Sequence, residues 1–351
     1  MTYRIQILGA SYGSLMAAKL LQAGHHVGLV CTSPEVGLIN KAGIVATVPI
    51  NRGPDVARID SQRLPGSLVA AIPTDADPGD FDLVVLAMQE PQYRSPEIRN
   101  LISRIAAAKV PCLSIMNMPP LPFLERFAHI DSTACRPCYT DPSVWDELSP
   151  NLVTHSSADP QASRVEGAPS NEITVRLASN FRAARFCGDD TNRVLRELAM
   201  SVEGTCYVHK GQQLTLPVKL KISESSFVAL SKWPMLITGN YRCITTDGPQ
   251  SIETAVHCDL VASRAIYRWV CDLCLSLGAN ISDLIPFEKY ASASHALKAP
   301  SSAARALANG AEHIERIDLL VQTIGAQHGL HLSELDDLVE LVDSCLVHNR
   351  A

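Results

Sequence analysis

Residues 1–33 constrain the fold of this chain more than any other segment. They contain an apolar stretch that ends at Gly9, a turn of small residues, a helical stretch that ends near Gly24, and a second apolar stretch that ends at Cys31. A strand, a glycine turn, a helix and a strand in this order form the βαβ unit that places a pyrophosphate on a helix N-terminus. We therefore predict a dinucleotide-binding unit here, and an α/β unit without a ligand is the alternative.

The turn departs from the usual G-x-G-x-x-G pattern, because Ser11 and Ser14 occupy the second and third glycine positions and Gly13 is additional. Gly9 suits a tight turn, the hydroxyl of Ser11 is able to donate to a phosphate oxygen, and Ser14 is small enough for close helix–strand packing. The residues of this turn that we predict to contact the cofactor are Gly9, Ser11, Tyr12, Gly13 and Ser14.

The end of the second strand bears on the choice of cofactor. NAD sites usually have an acidic residue there to bind the ribose 2′-hydroxyl, whereas this strand leads into Cys31, Thr32 and Ser33. Because the two hydroxyls would not repel a 2′-phosphate, we predict NADPH, with Thr32 and Ser33 at the cofactor and Arg52 as a candidate phosphate ligand. A helix cap before Pro34 is the alternative role for Thr32 and Ser33.

Composition excludes several classes of protein. The chain has 351 residues, of which 46% are hydrophobic, so two domains with their own cores are expected. No apolar run reaches the ~18 residues of a membrane span, and no secretory signal opens the sequence, so we expect a cytoplasmic protein without a membrane partner. The net charge is −6 and the basic residues are scattered, so no nucleic-acid partner is expected.

The eleven cysteines and eleven histidines show no pattern that predicts a metal site. Cys135 and Cys138 are separated by two residues, as are Cys271 and Cys274, but neither pair has a companion at zinc-finger spacing. We therefore expect reduced, mostly buried cysteines and no metal.

Hydrophobic periodicity predicts an α/β region followed by a helical one. Strands are predicted at 69–73, 81–88, 110–116, 173–177 and 182–186, helices at 95–108 and 191–202, and a loop-like region at 132–172. These predict a Rossmann-type, doubly wound α/β domain at 1–188 and an all-helical substrate and dimerisation domain at 189–351. Ligands lie beyond the carboxyl ends of parallel strands, so Gly9, Met88–Gln92 and Asn117–Pro120 are expected to border one crevice.

With this order in view, the chain resembles the ketopantoate reductase family, NADPH-dependent 2-oxo acid reductases of the 6-phosphogluconate-dehydrogenase-like group. The resemblance covers almost the whole chain. It is carried by Ile7–Leu15, Leu38–Ile44, Asp82–Ala87, Asn117, Asn180–Gly188 with Asp190–Leu195, Lys219-Leu220, Pro300–Ser302, Asn309-Gly310, Glu315 and Gly325–Leu330.

The resemblance implies roles for individual residues. Lys219 matches the catalytic lysine, and the catalytic glutamate falls within His313–Glu315, where Glu315 is the candidate. Asn117 is implied at both cofactor and substrate. Met88 and Gln89 border the nicotinamide, with Gln89 where the family often has a lysine.

Further residues are implied on the substrate side. Ser223 and Phe227 stand where the family has asparagines, and Ser301 and Ser302 are implied at a substrate carboxylate. An anionic carbonyl substrate bound between the two domains, and a homodimer, are also implied. Phe227 together with Met118 predicts a substrate that is larger or more apolar than ketopantoate.

The chemistry of carbonyl reduction supports these roles. The cofactor supplies a hydride, and an acid must protonate the carbonyl oxygen as it becomes an alkoxide. Lys219 lies in an apolar segment, where the pKa of a lysine falls, and Lys232 beside Trp233 is the second candidate. A surface position for Lys219, a solvated helix face for Glu315 and a helix cap for Ser301 are the alternatives.

Three other functions remain open on the same fold. An opine-type or imine reductase and a redox-neutral isomerase would retain the cofactor and change the reaction. A protein that senses NADP(H) without catalysis would retain only the binding site.

Overall fold

The computed structural model describes residues 1–50, 55–157, 159–164 and 167–351, so Arg52 lies outside the described residues. The chain forms two compact units. The first comprises Met1–Met88, Gln92–Met116 and Val144–Ser226, and the second comprises Gln89–Pro91, Asn117–Ser143 and Phe227–Ala351.

The first unit contains all the strands of the described chain. They are β1 (Arg4–Leu8), β2 (His26–Val30), β3 (Val45–Pro49), β4 (Val56–Asp60), β5 (Ser67–Ala71), β6 (Leu83–Leu86), β7 (Cys112–Ser114), β8 (Val153–Ser157), β9 (Gln161–Ser163), β10 (Glu172–Leu177), β11 (Phe181–Ala184), β12 (Tyr207–His209), β13 (Gln212–Leu214) and β14 (Leu220–Ser223).

Eight of these strands form the main sheet, in the order β14-β11-β8-β7-β6-β1-β2-β5. The six strands from β8 to β5 are mutually parallel, β11 is antiparallel to β8, and β14 is parallel to β11. Ile5, Ile7 and Leu8 of β1 are fully buried, as are all four residues of β6, because both faces of a central parallel strand are covered. A second sheet has the order β4-β3-β10-β9, and β12 and β13 form a hairpin.

The helices of the first unit are α1 (Gly13–Gln22), α2 (Ser33–Ala42), α3 (Pro96–Ala108) and α6 (Asp189–Glu203). Helix α1 follows β1 after a four-residue turn and is buried from Gly13 to Leu21. The predicted α/β, Rossmann-type fold class is confirmed.

The second unit is helical. Its helices are α4 (Leu121–Leu124), α5 (Ser132–Cys135), α7 (Trp233–Met235), α8 (Ile252–His257), α9 (Leu260–Ser276), α10 (Phe287–Ser294), α11 (Ser302–Ala308), α12 (Ile317–Gln327) and α13 (Ser333–Arg350), with a π-helical turn at Leu236–Tyr241. None of the described helices combines the length and apolar character that a bilayer crossing requires.

Two segments differ from the sequence-based expectation. Residues 153–157 were expected in a loop but form β8, whose polar side chains are buried and bonded, as Thr154 Oγ1 is to the carbonyl oxygen of Ala184 at 2.7 Å. The region after residue 189 was expected to be helical but adds β14, which pairs with β11 from Phe181↔Leu220 to Ala184↔Ser223. The first unit therefore extends to Ser226, and residues 117–143 belong to the helical unit.

Candidate active site

Gly9 forms the turn between β1 and α1 in a conformation that favours glycine. Its φ is +111°, and a Cβ atom there would lie 2.8 Å from Met88 Cγ and 3.0 Å from the carbonyl oxygen of Ala87. A Cβ on Gly13 would lie 2.6 Å from Ile7 Cγ2, so this glycine lets α1 pack closely on β1. Gly9 and Gly13 therefore serve the turn and the helix–strand contact that a dinucleotide-binding unit needs.

In the rest of the turn, the hydroxyls of Tyr12 and Ser14 are already hydrogen-bonded within the protein, whereas two backbone amides are not. Ser14 is buried and donates its hydroxyl to the carbonyl oxygen of Ala10 at 2.5 Å, while Tyr12 donates its hydroxyl to that of Pro160 at 2.8 Å. Ser11 is exposed, and the amides of Ser11 and Gly13 have no acceptor among the described residues. Free amides at the N-terminus of a ten-residue helix fit a pyrophosphate.

Beyond the end of β2, Glu35 is bonded to Thr32 and to Arg164. Glu35 accepts hydrogen bonds from the amide of Thr32 at 2.9 Å and from its hydroxyl at 2.6 Å, and it forms an ion pair with Arg164. Thr32 therefore caps α2, which was the alternative role for this residue, and Ser33 is the exposed first residue of that helix. The hydrogen bonds from Thr32 and the guanidinium of Arg164 keep the pKa of Glu35 below its usual value although partial burial opposes this.

The second unit brings together a lysine, an asparagine and a glutamate from distant parts of the chain. Lys232 Nζ lies 3.0 Å from Asn117 Oδ1, and Asn117 Nδ2 lies 3.0 Å from Glu315 Oε2. An ammonium only donates hydrogen bonds and an ionised carboxylate only accepts them, so the two neighbours fix the orientation of the asparagine amide. We call these three residues the Lys232–Asn117–Glu315 relay.

Glu315 is buried, with 7% of its surface exposed. Its Oε1 accepts from the amides of Glu90 and Met118, each at 3.4 Å, and its carbonyl oxygen accepts from the Tyr241 hydroxyl. Burial raises the pKa of this carboxyl, although the bonds from Asn117 and the two amides, together with Lys232, oppose the shift. This environment identifies Glu315, from the His313–Glu315 window, as the residue that joins the relay.

A second buried carboxylate, Glu90, lies beside the relay. It accepts from the amide of Thr140 at 3.1 Å and from the Thr140 hydroxyl at 2.9 Å. Burial raises the pKa of Glu90 to about 7, and the negative charge of Glu315 adds to that shift.

A small cavity of about 10 Å³, room for about one water molecule, lies against the relay. It is lined by Gln89, Asn117, Leu236, Asn240, Tyr241, Ser302, Ala303, Ile314 and Glu315, all of the second unit. In its present size the cavity could hold a single carbonyl group. Amide, hydroxyl and carboxyl groups around it provide donors and acceptors for such a group.

Other predicted site residues have partners outside the relay. The ammonium of Lys219 pairs with Glu203 at 3.0 Å, and Lys221 shares that carboxylate at 2.7 Å. Ser223 lies in β14, where its Oγ accepts from the amide of Ser225 at 3.2 Å. These contacts give Lys219 and Ser223 structural roles in the first unit, and their functional roles stay predictions.

Two predicted substrate residues take part in packing and capping. The ring of Phe227 lies 4.9 Å from that of Phe127, centre to centre. Ser301 donates its hydroxyl to the carbonyl oxygen of Asn240 at 2.6 Å and accepts from the amide of Ala304 at 3.1 Å, so it caps α11. Ser302, by contrast, lines the cavity.

Sequence reasoning did not single out Glu90, Asn240 or Tyr241. Glu90 follows the strand end at Met88 by two positions, which was the one signal available for it. Lys232 was the second candidate for the acid, and its neighbour Trp233 is almost completely buried. Among the described residues, no three His, Cys, Asp or Glu side chains lie together in a way that could hold a metal ion.

Comparison with known proteins supports the fold. No protein-family model matches the chain, and no curated protein does. The solved 2-dehydropantoate 2-reductase from Methylococcus capsulatus is 15% identical, with a TM-score of 0.67 over 99% of this chain and 98% of that one. A D-mandelate dehydrogenase in a ternary complex with NADH and anilino(oxo)acetate is 15% identical, with a TM-score of 0.64 over 99% of this chain and all of that one.

A dimeric ketopantoate reductase from Staphylococcus aureus is 12% identical, with a TM-score of 0.60 over 99% of both chains. At these identities the likeness shows the fold. The resemblance to ketopantoate reductases drawn from the sequence is thus confirmed at the level of the fold.

Proposed function

We propose that this chain is a nicotinamide-dependent reductase of a small 2-oxo acid or a related carbonyl compound. The observation that carries the proposal is the Lys232–Asn117–Glu315 relay, in which Asn117 and Glu315 line a small cavity and Asn117 bonds the ammonium of Lys232. A carbonyl reductase needs a proton donor near the oxygen that becomes an alkoxide, and an ammonium held by neighbouring groups suits that task.

Lys232 is the proton donor in this proposal, in place of Lys219. Its ammonium is bonded to Asn117, whereas that of Lys219 is paired with Glu203. Lys232 donates a proton to the carbonyl oxygen of the substrate and is then reprotonated from solvent. The carbonyl carbon gains a hydride, its π bond breaks and the product is an alcohol.

Asn117 and Glu315 hold the lysine in place. Asn117 accepts from Lys232 and donates to Glu315, and the carboxylate is fixed by the amides of Glu90 and Met118. Because these groups come from three segments of the chain, the position of the ammonium is set by the packed unit and does not depend on one flexible side chain.

The turn after β1 fits a dinucleotide, because Gly9 permits the tight turn and the amides of Ser11 and Gly13 are available at the N-terminus of α1. A bound dihydronicotinamide supplies the hydride for the reduction. For the phosphate on the adenosine ribose, we propose Arg164 as the cationic ligand, which gives a preference for NADPH. This residue lies beside Thr32 through Glu35, and its buried Nε has no acceptor in the described chain.

A homodimer formed by the helical unit is part of the proposal. Helix α9 exposes Leu260 and Val261 near its start, the latter with 82% of its surface in solvent. The dimeric reductase from Staphylococcus aureus shares the fold. Light scattering of the purified chain tests this part of the proposal.

The direct test is a titration with NADPH and NADH, followed by NADPH oxidation with a panel of carbonyl compounds that includes ketopantoate. Binding with turnover of at least one carbonyl compound is expected. Binding without any turnover would favour a sensor of NADP(H), and the absence of binding would contradict the proposal.

A further inference from the structure

A cleft of about 470 Å³ lies on the main sheet of the first unit. Gln6 of β1, Gly28 of β2 and Val69 of β5 are paired side by side in its floor. The next residue along β1, Ile7, lies instead against α1, because a Cβ atom on Gly13 would be 2.6 Å from its Cγ2. Since successive side chains of a strand point to opposite faces, the cleft lies on the face opposite to α1.

The cleft is open because the connection from β5 to β6 is short. Parallel sheets are usually covered on both faces by the helices of their crossovers. Here residues 72–82 pass β2 and β1 on the way to β6, and they contain one three-residue 3₁₀ turn at Pro78–Asp80. Val69 therefore keeps 63% of its surface in solvent. The volume of the cleft falls within the range of small-molecule sites, about 300–1,000 Å³.

The connection that forms one wall of the cleft is held by hydrogen bonds. Arg104 donates to the carbonyl oxygen of Pro73 at 2.6 Å and also to that of Ala76. Asp77 accepts from the amide of Gly79 at 3.0 Å and thereby caps the 3₁₀ turn. Ala76 and Asp77 both line the cleft, so this wall is preformed.

The floor of the cleft offers a flat apolar surface beside an aromatic ring. Gly28 has no side chain, and Phe81 lies against it, because a Cβ atom there would be 2.5 Å from Cζ of the ring. Val30 and Ala71 continue the apolar surface along β2 and β5. A floor of this kind suits a planar apolar group.

Gln6 contributes an unused polar group to this floor. Only 2% of its surface is exposed, and its Oε1 is buried without a hydrogen-bond partner among the described residues. A buried oxygen that accepts no hydrogen bond is energetically unfavourable. Because the described chain gives this amide no hydrogen bond that would oppose rotation, its oxygen can turn toward an N–H group of a ligand.

Negative charge is in excess among the titratable side chains that line the cleft. These are Arg4, His26, Asp75, Asp77 and Asp80. Arg4 pairs with Asp80 at 3.4 Å, and His26 is hydrogen-bonded to Ser67 at 2.6 Å. Asp75 and Asp77 have no cationic partner within the described ranges, and each accepts only from an uncharged group. An anion in the cleft would therefore be repelled, and a cation would be attracted.

A metal ion does not fit the cleft, because no three His, Cys, Asp or Glu side chains of the described chain are placed to hold one. We propose that the cleft binds a small organic cation. A planar apolar body lies on Gly28 and Val69, an N–H group donates to Gln6, and the positive charge faces Asp75 and Asp77. Aromatic amidines, guanidines and amines have this chemistry. The site does not rest on the proposed carbonyl reduction.

Three planar compounds of nearly the same shape test the proposal. At neutral pH, naphthalene-2-carboxamidine is a cation, naphthalene-2-carboxamide is uncharged and naphthalene-2-carboxylate is an anion. In isothermal titration calorimetry with the full chain, we expect the Kd of the amidine to be at least tenfold lower than that of the amide, and the carboxylate to bind most weakly. Equal or tighter binding of the amide or the carboxylate, or no binding of the amidine, would overturn the inference.

A charge variant with a matched control locates the site. Asp77→Asn keeps an oxygen for the amide of Gly79 and removes the charge, so the Kd of the amidine should rise at least threefold. Asp60→Asn is the control, because Asp60 caps the 3₁₀ turn at Ser61–Arg63 in the same way and does not line the cleft. The same Kd in both variants would contradict the site.

A second variant tests the amide in the floor. Gln6→Leu has similar size and cannot accept a hydrogen bond, so the Kd of the amidine should rise at least fivefold. The melting temperature should not fall, because the lost amide oxygen has no partner in the described chain. An unchanged Kd would overturn the assignment of Gln6. If Gln6→Leu does not fold, the comparison of Asp77→Asn with Asp60→Asn decides the inference.

Two other occupants of the cleft are excluded by separate measurements. Saturating NADPH should change the Kd of the amidine by less than about twofold, and competition would overturn the inference by placing the cleft in the nucleotide site. Val69→Arg should leave the mass in light scattering unchanged, and dissociation of a dimer would show that a second copy covers the cleft. If the protein binds no NADPH, the proposed function fails, and the three compounds still decide the inference.

Discussion

The ammonium of Lys232 lies 3.0 Å from the amide oxygen of Asn117, although the two residues are 115 positions apart in the sequence. The other end of that amide donates to Glu315, so one asparagine joins a cation to a buried carboxylate. A lysine without these two hydrogen-bonded neighbours would not be held in one position. The first two predictions below concern variants of Lys232 and of Glu315.

Replacing Lys232 by methionine should lower kcat of carbonyl reduction by about 10²- to 10⁴-fold, the range for the loss of a positioned general acid. The affinity for NADPH should change little, because the turn at Gly9 is untouched. Lys219→Met is the matched control, since Lys219 pairs with Glu203 in the first unit. Steady-state kinetics decide between the two lysines, and a larger loss of kcat in Lys219→Met would return the role to Lys219.

The variant Glu315→Gln should reverse the amide of Asn117. The native carboxylate accepts from Asn117 on one oxygen and from the amides of Glu90 and Met118 on the other. A glutamine that keeps the two backbone bonds turns its NH₂ toward Asn117, which must then rotate and present its own NH₂ to Lys232. We expect kcat to fall about 100-fold, while the melting temperature shows that the fold persists. An unchanged kcat would mean that the relay does not hold the acid.

Arg164 should discriminate between the two nicotinamide cofactors. Arg164→Ala removes the cation beside Glu35 and Thr32, and a lost charge-assisted hydrogen bond costs about 1.5–3 kcal/mol. The Kd for NADPH should therefore rise tenfold or more, and the Kd for NADH should change by less than about threefold. Fluorescence titration of both nucleotides makes the comparison. Tighter binding of NADH than NADPH by the native protein would instead assign Glu35 to the ribose hydroxyl.

Glu90 should make the stability of the protein depend on pH. Its pKa is raised from the usual 4.5 to about 7, so the folded state binds the proton more tightly than the unfolded state does. The stabilising effect is complete below about pH 4.5 and is lost as the pH rises through about 7, with a total of about 3 kcal/mol. In Glu90→Gln, which retains partners for Thr140, this dependence should disappear. Urea unfolding of both proteins at pH 5 and pH 8 measures it, and parallel curves would contradict the expectation.

Gly9 should be intolerant of a side chain. Gly9→Ala combines a φ of +111° with a Cβ atom 2.8 Å from Met88 Cγ, and we expect a loss of about 1–3 kcal/mol in the free energy of unfolding and at least tenfold weaker NADPH binding. Gly24→Ala is the control, because its φ is +84° and no atom lies within 4 Å of the added Cβ. Thermal unfolding and nucleotide titration separate the two effects. Native-like binding in Gly9→Ala would exclude a role for this turn.

The fold was predictable where the hydrophobic pattern is regular. The predicted strands at 81–88 and 110–116 contain β6 and β7, and the predicted helix at 95–108 nearly coincides with α3. Strand β8 escaped prediction because its sequence is mostly polar. Its side chains are nevertheless buried, and hydrogen bonds satisfy their polar groups, as between His155 and Ser114 at 3.1 Å. Such pairings depend on neighbouring strands and leave no periodic signal.

The candidate site was predictable only in part. Asn117 could be placed because it follows a buried strand, and Glu315 because of the family resemblance. The choice of lysine could not be made from the sequence, since both Lys219 and Lys232 have apolar neighbours. The structure shows that the ammonium of Lys232 is bonded to Asn117 in the second unit, and that the ammonium of Lys219 is paired with Glu203 in the first. Glu90 gave only the signal of its position near a strand end, because the hydroxyl that binds its carboxylate belongs to Thr140, fifty positions away.

The discontinuous makeup of the helical unit has a consequence for the order in which the protein matures during synthesis. Asn117 and Glu315 are 198 positions apart, and ribosomes add about 5–20 residues per second, so Asn117 exists on the order of 10–40 s before its carboxylate partner. Gly9, α1 and β6 precede both. A nascent chain would therefore contain the turn at Gly9 early, and it could complete the Lys232–Asn117–Glu315 relay only after Glu315 is made.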